Sequence, residues 1–196
     1  MTDRLVTANL SLSLDGRYNG PGGAYDLAAI IPYATTDVAR DHLTRLHENA
    51  TTAVLGRLNA EGFLGFWPSV ADNDEADPRD RGYATWLRDS EKVVFSTTLT
   101  EAPWQRTRLV NAPVVDVITE LKSADGGEIL VNSSASIIKP LLAADLLDRL
   151  YLMITPEISG GGQRLFDDGV PATKWIVAHQ ETGKLGELAM VYDRVR

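Results

Sequence analysis

Apolar and polar residues alternate from Arg4 to Leu14, with Leu5, Thr7 and Asn9 set against Val6, Ala8 and Leu10, then Leu12 and Leu14. A period of two belongs to a strand with unlike faces, so the chain opens on one. Asp15-Gly16 ends it with turn chemistry, and Asn19-Gly20-Pro21-Gly22-Gly23 reads as a loop. Thr35 or Thr36 can cap a helix running to about Asn49, whose apolar side carries Val38, Leu43 and Leu46. Thr51–Leu55 reads as a short buried strand broken by Gly56, and Arg57–Phe63 as a second helix. Residues 68–81, PSVADNDEADPRDR, are polar, acidic and punctuated by two prolines, which predicts a surface loop.

The second half repeats the alternation of element types. Val93–Ser96 and Arg108–Val110 read as strands, and Val114–Lys122 as a helix with Val117, Ile118 and Leu121 on its apolar face. Strand Glu128–Val131, helix Ser134–Ala143 and strand Arg149–Ile154 follow, then two late strands near Lys174–His179 and Leu188–Arg194. Strands alternating with helices and closing in strands predict an α/β fold with a mostly parallel sheet and an antiparallel edge. At 196 residues, with no internal repeat or linker, the chain suits one domain.

Charge and composition narrow the function. A net charge of −8 argues against general nucleic-acid binding, which needs a basic footprint. It leaves room for a small anion held by local arginines and helix N-termini. The chain has no cysteine, which removes disulfides, thiolate catalysis and cysteine-ligated metals together. The N-terminus lacks a basic region and long apolar run, and no stretch approaches a membrane span, so a soluble cytoplasmic protein is expected.

The residues point to a nucleotide more than to a metal or a nucleophile. His42 and His47 are five apart on one predicted helix, so they do not share a face, and His179 falls in a late strand; no metal site is expected. The acidic loop lacks the glycine and closing glutamate of a calcium loop. No G-x-S-x-G elbow, P-loop lysine or G-x-G-x-x-G fingerprint is present. By contrast, strand Ile129–Val131 runs into Asn132-Ser133-Ser134-Ala135 at a helix start, where free backbone N–H groups can take a phosphate. Gly160-Gly161-Gly162 lets a loop approach a ligand closely. Gly56-Arg57 places a guanidinium at a helix start, suited either to a phosphate or to solvent. Ser96-Thr97-Thr98 ends a strand with hydroxyls that could bind phosphate or cap the turn.

Taken in order, SLSLDG, LGR followed by EGFLGFWP, KVVFSTTL, EILVNSSAS, LLAADLLDRLYLMITPEISGGGQRLF and the closing TGKLGELAMVYD resemble the reductase domain at the C-terminus of bacterial riboflavin-biosynthesis deaminase-reductases. That domain is a relative of dihydrofolate reductase, and the resemblance covers almost the whole chain. It implies a dihydrofolate reductase-like three-layer α/β/α sandwich around a sheet of about eight strands. It also implies NADPH as hydride donor, a flavin being the alternative, a homodimer joined through the late strands, and a small heterocyclic or carbonyl substrate. The family's reference reaction reduces the ribosyl carbonyl of a phosphoribosylamino-pyrimidine.

Carried over by motif, the resemblance sets Gly56 and Arg57 by the adenosine phosphates and Ser96 and Thr97 by the adenine ribose or its 2′-phosphate. Asn132, Ser133, Ser134 and Ala135 would face the pyrophosphate, Ser11 and Leu12 would flank the nicotinamide, and Gly160, Gly161 and Gly162 would border cofactor and pocket. Asp15 at the pocket mouth and Asp37 on the first helix are the candidate catalytic acids, each with a plainer reading: a turn former and a first-turn helix acid. Two positions depart from the family. Ser133 and Ser134 stand where glycine is usual, and Thr97 stands where arginine is frequent, which weakens discrimination for a 2′-phosphate. Two rival readings follow: a nucleotide-binding or sensing module without turnover, and a true dihydrofolate reductase.

Overall fold

The computed structural model describes residues 4–196. Among them the strands are β1 (Val6–Leu12), β2 (Ala50–Gly56), β3 (Glu91–Phe95), β4 (Thr107–Val110), β5 (Glu128–Asn132), β6 (Arg149–Ile154), β7 (Lys174–Thr182) and β8 (Leu188–Val195). The α-helices are α1 (Asp37–His47), α2 (Arg57–Ala71), α3 (Pro78–Asp89), α4 (Val114–Ser123) and α5 (Ala135–Ala143). All the strands join one sheet in the order β4-β3-β2-β5-β1-β6-β8-β7. The first six in that order are parallel, and β8 and β7 complete the edge antiparallel. This is the expected α/β class, in its dihydrofolate reductase-like three-layer form.

The handedness of the crossovers explains the layers. Chain segments leaving β1 and β2 move toward the β4 edge, whereas those leaving β4 and β5 move back. Right-handed connections therefore put α1, α2 and α3 on one face and α4 and α5 on the other. The cores agree. Val117 and Ile118 of α4 and Ile137, Ile138 and Leu141 of α5 pack on Val6, Ala8, Leu10, Ile129 and Val131. On the opposite face Leu46, Ala60, Leu64, Tyr83 and Leu87 pack on Ala53, Leu55, Leu130 and Tyr151. The alternation read in β1 is thus a choice between two covered faces, not between core and solvent. Each fully buried Leu or Ile in these layers contributes about 1.5–3 kcal/mol over an exposed one.

Three boundaries differ from the sequence reading. β1 begins at Val6 and ends at Leu12, because the Ser13 N–H turns to donate to the Arg17 carbonyl (2.9 Å). The helix expected to end at Phe63 continues to Ala71, carrying Pro68 inside it. The expected loop 68–81 shrinks accordingly, and helix α3 starts within it at Pro78. Asp77 caps α3, its carboxylate accepting the Arg79 N–H at 2.9 Å, and Pro78 fills a first-turn position that needs no N–H. The apolar positions that hold this helix down, Tyr83, Ala84 and Leu87, all follow the acidic run. Polar punctuation there marks a helix entrance.

The topology also fixes where a ligand can enter. β5 lies between β2 and β1. Its following helix packs on the face opposite to theirs, so the carboxyl end of β5 is a topological switch point, the place where α/β folds form their binding crevice.

Candidate functional site

β5 ends at Asn132, the chain turns through Ser133, and α5 begins at Ala135. Ser133 has φ of 50°, a left-handed conformation that favours glycine. Asn9 of β1 holds it there: the Ser133 N–H donates to the Asn9 carbonyl (3.1 Å) and to its Oδ1 (3.2 Å), and Asn9 Nδ2 donates to Ser133 Oγ (3.3 Å). On the other side the Gly56 N–H donates to Ser134 Oγ at 2.9 Å, and that hydroxyl donates to the Asn132 carbonyl at 2.9 Å. Asn59 Nδ2, in the first turn of α2, donates to the Ser133 carbonyl (2.5 Å) and to Ser134 Oγ (3.0 Å). The serine turn is therefore stitched to β1 and to the start of α2, on both sides of β5.

Among the described residues no side chain caps α2 or α5. A Cβ built on Gly56 would lie 3.4 Å from Ser136 Oγ, so the two helix starts stand side by side. Neighbouring helix starts with unpaired leading N–H groups and positive dipole ends suit a pyrophosphate. Arg57 opens α2, its Nη1 bonded to both carboxylate oxygens of Glu61 (2.9 and 3.2 Å). After β3, Ser96 Oγ accepts the N–H groups of Thr98 (3.1 Å) and Leu99 (2.9 Å), so this buried hydroxyl closes a turn, while Thr97 is exposed.

At the end of β1, Leu12 points into the α4–α5 core and Ser11 faces the opposite way, half-buried. Asp15 lies just beyond. Its Oδ1 accepts from the Ser13 hydroxyl (2.6 Å) and the Ser159 N–H (2.9 Å), and its Oδ2 from Arg17 Nε (2.8 Å) and the Gly160 N–H (3.1 Å). The Ser13 bond foremost, with the Ser159, Arg17 and Gly160 donors, holds this carboxyl well below the usual range. Asp15 thus pins the loop after β1 to the loop after β6. The glycines serve the same junction: a Cβ on Gly161 would lie 2.9 Å from Pro21 Cβ, and one on Gly162 would lie 2.0 Å from the Asn19 carbonyl oxygen.

Asp37 stands elsewhere. It begins α1, is two-thirds exposed, and pairs with Arg79 (3.0 Å) and Lys184 (3.9 Å). The Arg79 hydrogen bond lowers its pKa. None of these contacts reaches the serine turn or the Asp15 junction. The structure therefore brings Gly56, Arg57, Asn132, Ser133, Ser134 and Ala135 together, sets Ser96 and Thr97 one strand further along, and joins Ser11, Leu12, Asp15 and Gly160–Gly162 around the end of β1.

Asn9, Asn59 and Tyr83 escaped the sequence reading. Asn9 pairs in register with Asn132, and the Asn132 Nδ2 donates to the fully buried Tyr83 hydroxyl. The available signal was a polar side chain at Asn9 within a strand whose partner also ends in asparagine; nothing in the spacing tied either to Tyr83.

Comparisons with known proteins bear on the fold and the family. A family model described as the RibD C-terminal domain matches residues 4–186. A putative riboflavin biosynthesis protein from Shewanella sp. PV-4 superposes with a TM-score of 0.71 at 24% identity, covering 98% of this chain and 99% of its own. A diaminohydroxyphosphoribosylaminopyrimidine deaminase/5-amino-6-(5-phosphoribosylamino)uracil reductase from Thermotoga maritima gives 0.66 at 15% identity, with 98% of this chain matching 57% of that one. Dihydrofolate reductase from Enterococcus faecalis, complexed with NADP(H), gives 0.61 at 15% identity over 98% of this chain and 97% of its own. No similar sequence was found among curated proteins. At these identities the superpositions establish a shared fold. With the profile match spanning nearly its full length, the chain belongs to the RibD C-terminal domain family.

Proposed function

We propose that this protein is a reductase that takes a hydride from NADPH and delivers it to a small heterocyclic or carbonyl substrate, in the manner of the uracil reductase half of its Thermotoga relative. The observation that carries the reading is the meeting of two uncapped helix starts, α2 and α5, at the carboxyl end of β5. Backbone N–H groups from Arg57 and Ala135 onward would hold the pyrophosphate, with Ser133 and Ser134 shaping the turn. The nicotinamide would extend toward Ser11 and the Gly160 loop, and the adenosine toward Ser96 and Thr97. When bound, the reduced dinucleotide supplies the hydride. The chain's own share is positioning and exclusion of water. Asp15 stays ionised with four donors already on it, so the balancing proton comes from water in this reading. The homodimer implied by the family belongs to the same proposal: Ile176 and Val177 on edge strand β7 are about half exposed and offer its apolar contact.

Tryptophan quenching by NADPH, NADH and FMN tests the reading, with Trp67, Trp86, Trp104 and Trp175 as reporters. Micromolar binding of NADPH, about −8 kcal/mol, is expected. Ser136→Glu, an exposed change that sets a carboxylate between the two helix starts, is expected to weaken it by about tenfold or more, or about 1.4 kcal/mol. Unchanged affinity in that variant would remove the pyrophosphate from this crevice. A sensing module is the second reading, favoured by the Ser134 hydroxyl already engaging the Gly56 N–H. Tight binding with no turnover across a panel of carbonyls and pterins would select it.

A further inference from the structure

NADPH and NADH differ by one phosphate on the adenosine ribose, a dianion near neutral pH. A site that prefers NADPH meets it with an unmatched guanidinium or ammonium, whereas one that accepts NADH offers an acid or neutral acceptor to the 2′-hydroxyl. The segments bordering the adenosine end are those following β2, β3, β4 and β5. Residues 56–61, 96–101, 111–113 and 132–136 contain a single cation, Arg57.

Arg57 is not available as an unmatched charge. Its Nη1 bonds both oxygens of Glu61, at 2.9 and 3.2 Å, one helical turn on. The loop after β3 adds exposed Glu101, leaving these segments with one net negative charge from Arg57, Glu61 and Glu101. The hydroxyls do not offset it. Ser96 Oγ is buried and occupied by the Thr98 and Leu99 N–H groups, and exposed Thr97 brings a neutral hydroxyl. α4 starts after Pro113 without a side-chain cap, but Asp116 already places a carboxylate in its first turn, and the other two helix starts are the ones proposed for the pyrophosphate.

We propose that the adenosine end of this site is built for a ribose 2′-hydroxyl rather than a 2′-phosphate, so that NADH serves as readily as NADPH. The inference rests on the cofactor reading above, and binding measurements separate the two. Isothermal titration of the whole protein with each cofactor, at one fixed ionic strength, gives the two Kd values without any substrate. NADPH binding less than about tenfold tighter than NADH, or weaker, is the expected result. A preference for NADPH of about tenfold or more overturns this inference and leaves the reductase reading standing. Binding of neither cofactor overturns both.

Two exposed substitutions locate the cause. Thr97→Arg supplies the missing guanidinium and is expected to tighten NADPH by about tenfold with NADH unchanged. Glu61→Gln releases Arg57 and is expected to move NADPH the same way by a smaller factor. Equal effects on both cofactors in both variants would show that these residues do not face the 2′ position, and would overturn the assignment.

Discussion

His42 is 3% exposed, and neither of its ring nitrogens has a hydrogen-bond partner among the described residues. It packs edge-on against Tyr151, with ring centroids 5.6 Å apart. Burial, then the nearby charges of Arg45 and His179, push its pKa down to about 4. In the unfolded chain the same ring titrates near its ordinary value of about 6.5. Between those two values the unfolded state takes up a proton that the folded state refuses. Stability is therefore full above about pH 6.5 and falls as the pH drops toward 4, by up to about 3 kcal/mol. Urea unfolding at pH 7, 5.5 and 4 checks this, with His42→Phe expected to flatten that part of the profile. His47, also lowered by burial, adds a slope of the same sign, so the comparison of interest is between the variant and the unchanged protein. A slope unaltered by His42→Phe would show that the imidazole is not held neutral.

Loops at the end of β1 behave as a unit rather than as separate strands of chain. Arg17 bridges Arg164, Asn19 Nδ2 donates to Gln163 Oε1 (3.1 Å), and the Gln163 N–H donates to Asn19 Oδ1 (2.6 Å). Gly162 permits this closeness, with φ of 97° and the Asn19 carbonyl oxygen 2.0 Å from where a Cβ would sit. Gly160 also has positive φ, 70°, but nothing within 4 Å of its Cβ position. Gly162→Ala must separate the loops and is expected to cost about 1–3 kcal/mol, as overpacking does. Gly160→Ala meets only the backbone preference, about 1 kcal/mol. Denaturation midpoints of the two variants make the comparison. Equal losses would mean that backbone conformation, not the junction, decides both.

The sheet has two open edges, and the β7 edge is the apolar one. Among the described residues β7 pairs with β8 alone, and Ile176 and Val177 stand about half exposed on it. An apolar edge strand of this kind is an invitation to association unless covered. Under the proposed dimer, sedimentation is expected to report about twice the 21.4 kDa chain mass, and Ile176→Lys with Val177→Lys to return it to a monomer. A single-chain mass for the unchanged protein would remove the dimer from the proposal. The candidate site lies at the carboxyl ends of the central strands, so the cofactor-binding measurements and the association measurement address separate parts of the molecule.

The sequence by itself determined the element types, because the periods of two and of about four are local and need only neighbouring residues. All the strands, and the helices near Asp37, Arg57, Val114 and Ala135, were legible that way. It also determined the family, since ordered motifs survive without coordinates, and it placed Gly56, Ser133 and Ser134 near one another through that likeness. Helix α3 was hidden because its apolar stripe begins after a proline-bounded acidic run, and only packing on the α1–α2 side shows that run to be a cap. Tertiary structure alone joined Asn9 and Asn59 to the serine turn, at sequence separations of 124 and 74 residues from Ser133. It alone surrounded Asp15 with four donors and set Asp37 beside Arg79 and Lys184. A carboxylate's role depends on which donors surround it, and those donors are set by strand order, which no local pattern encodes.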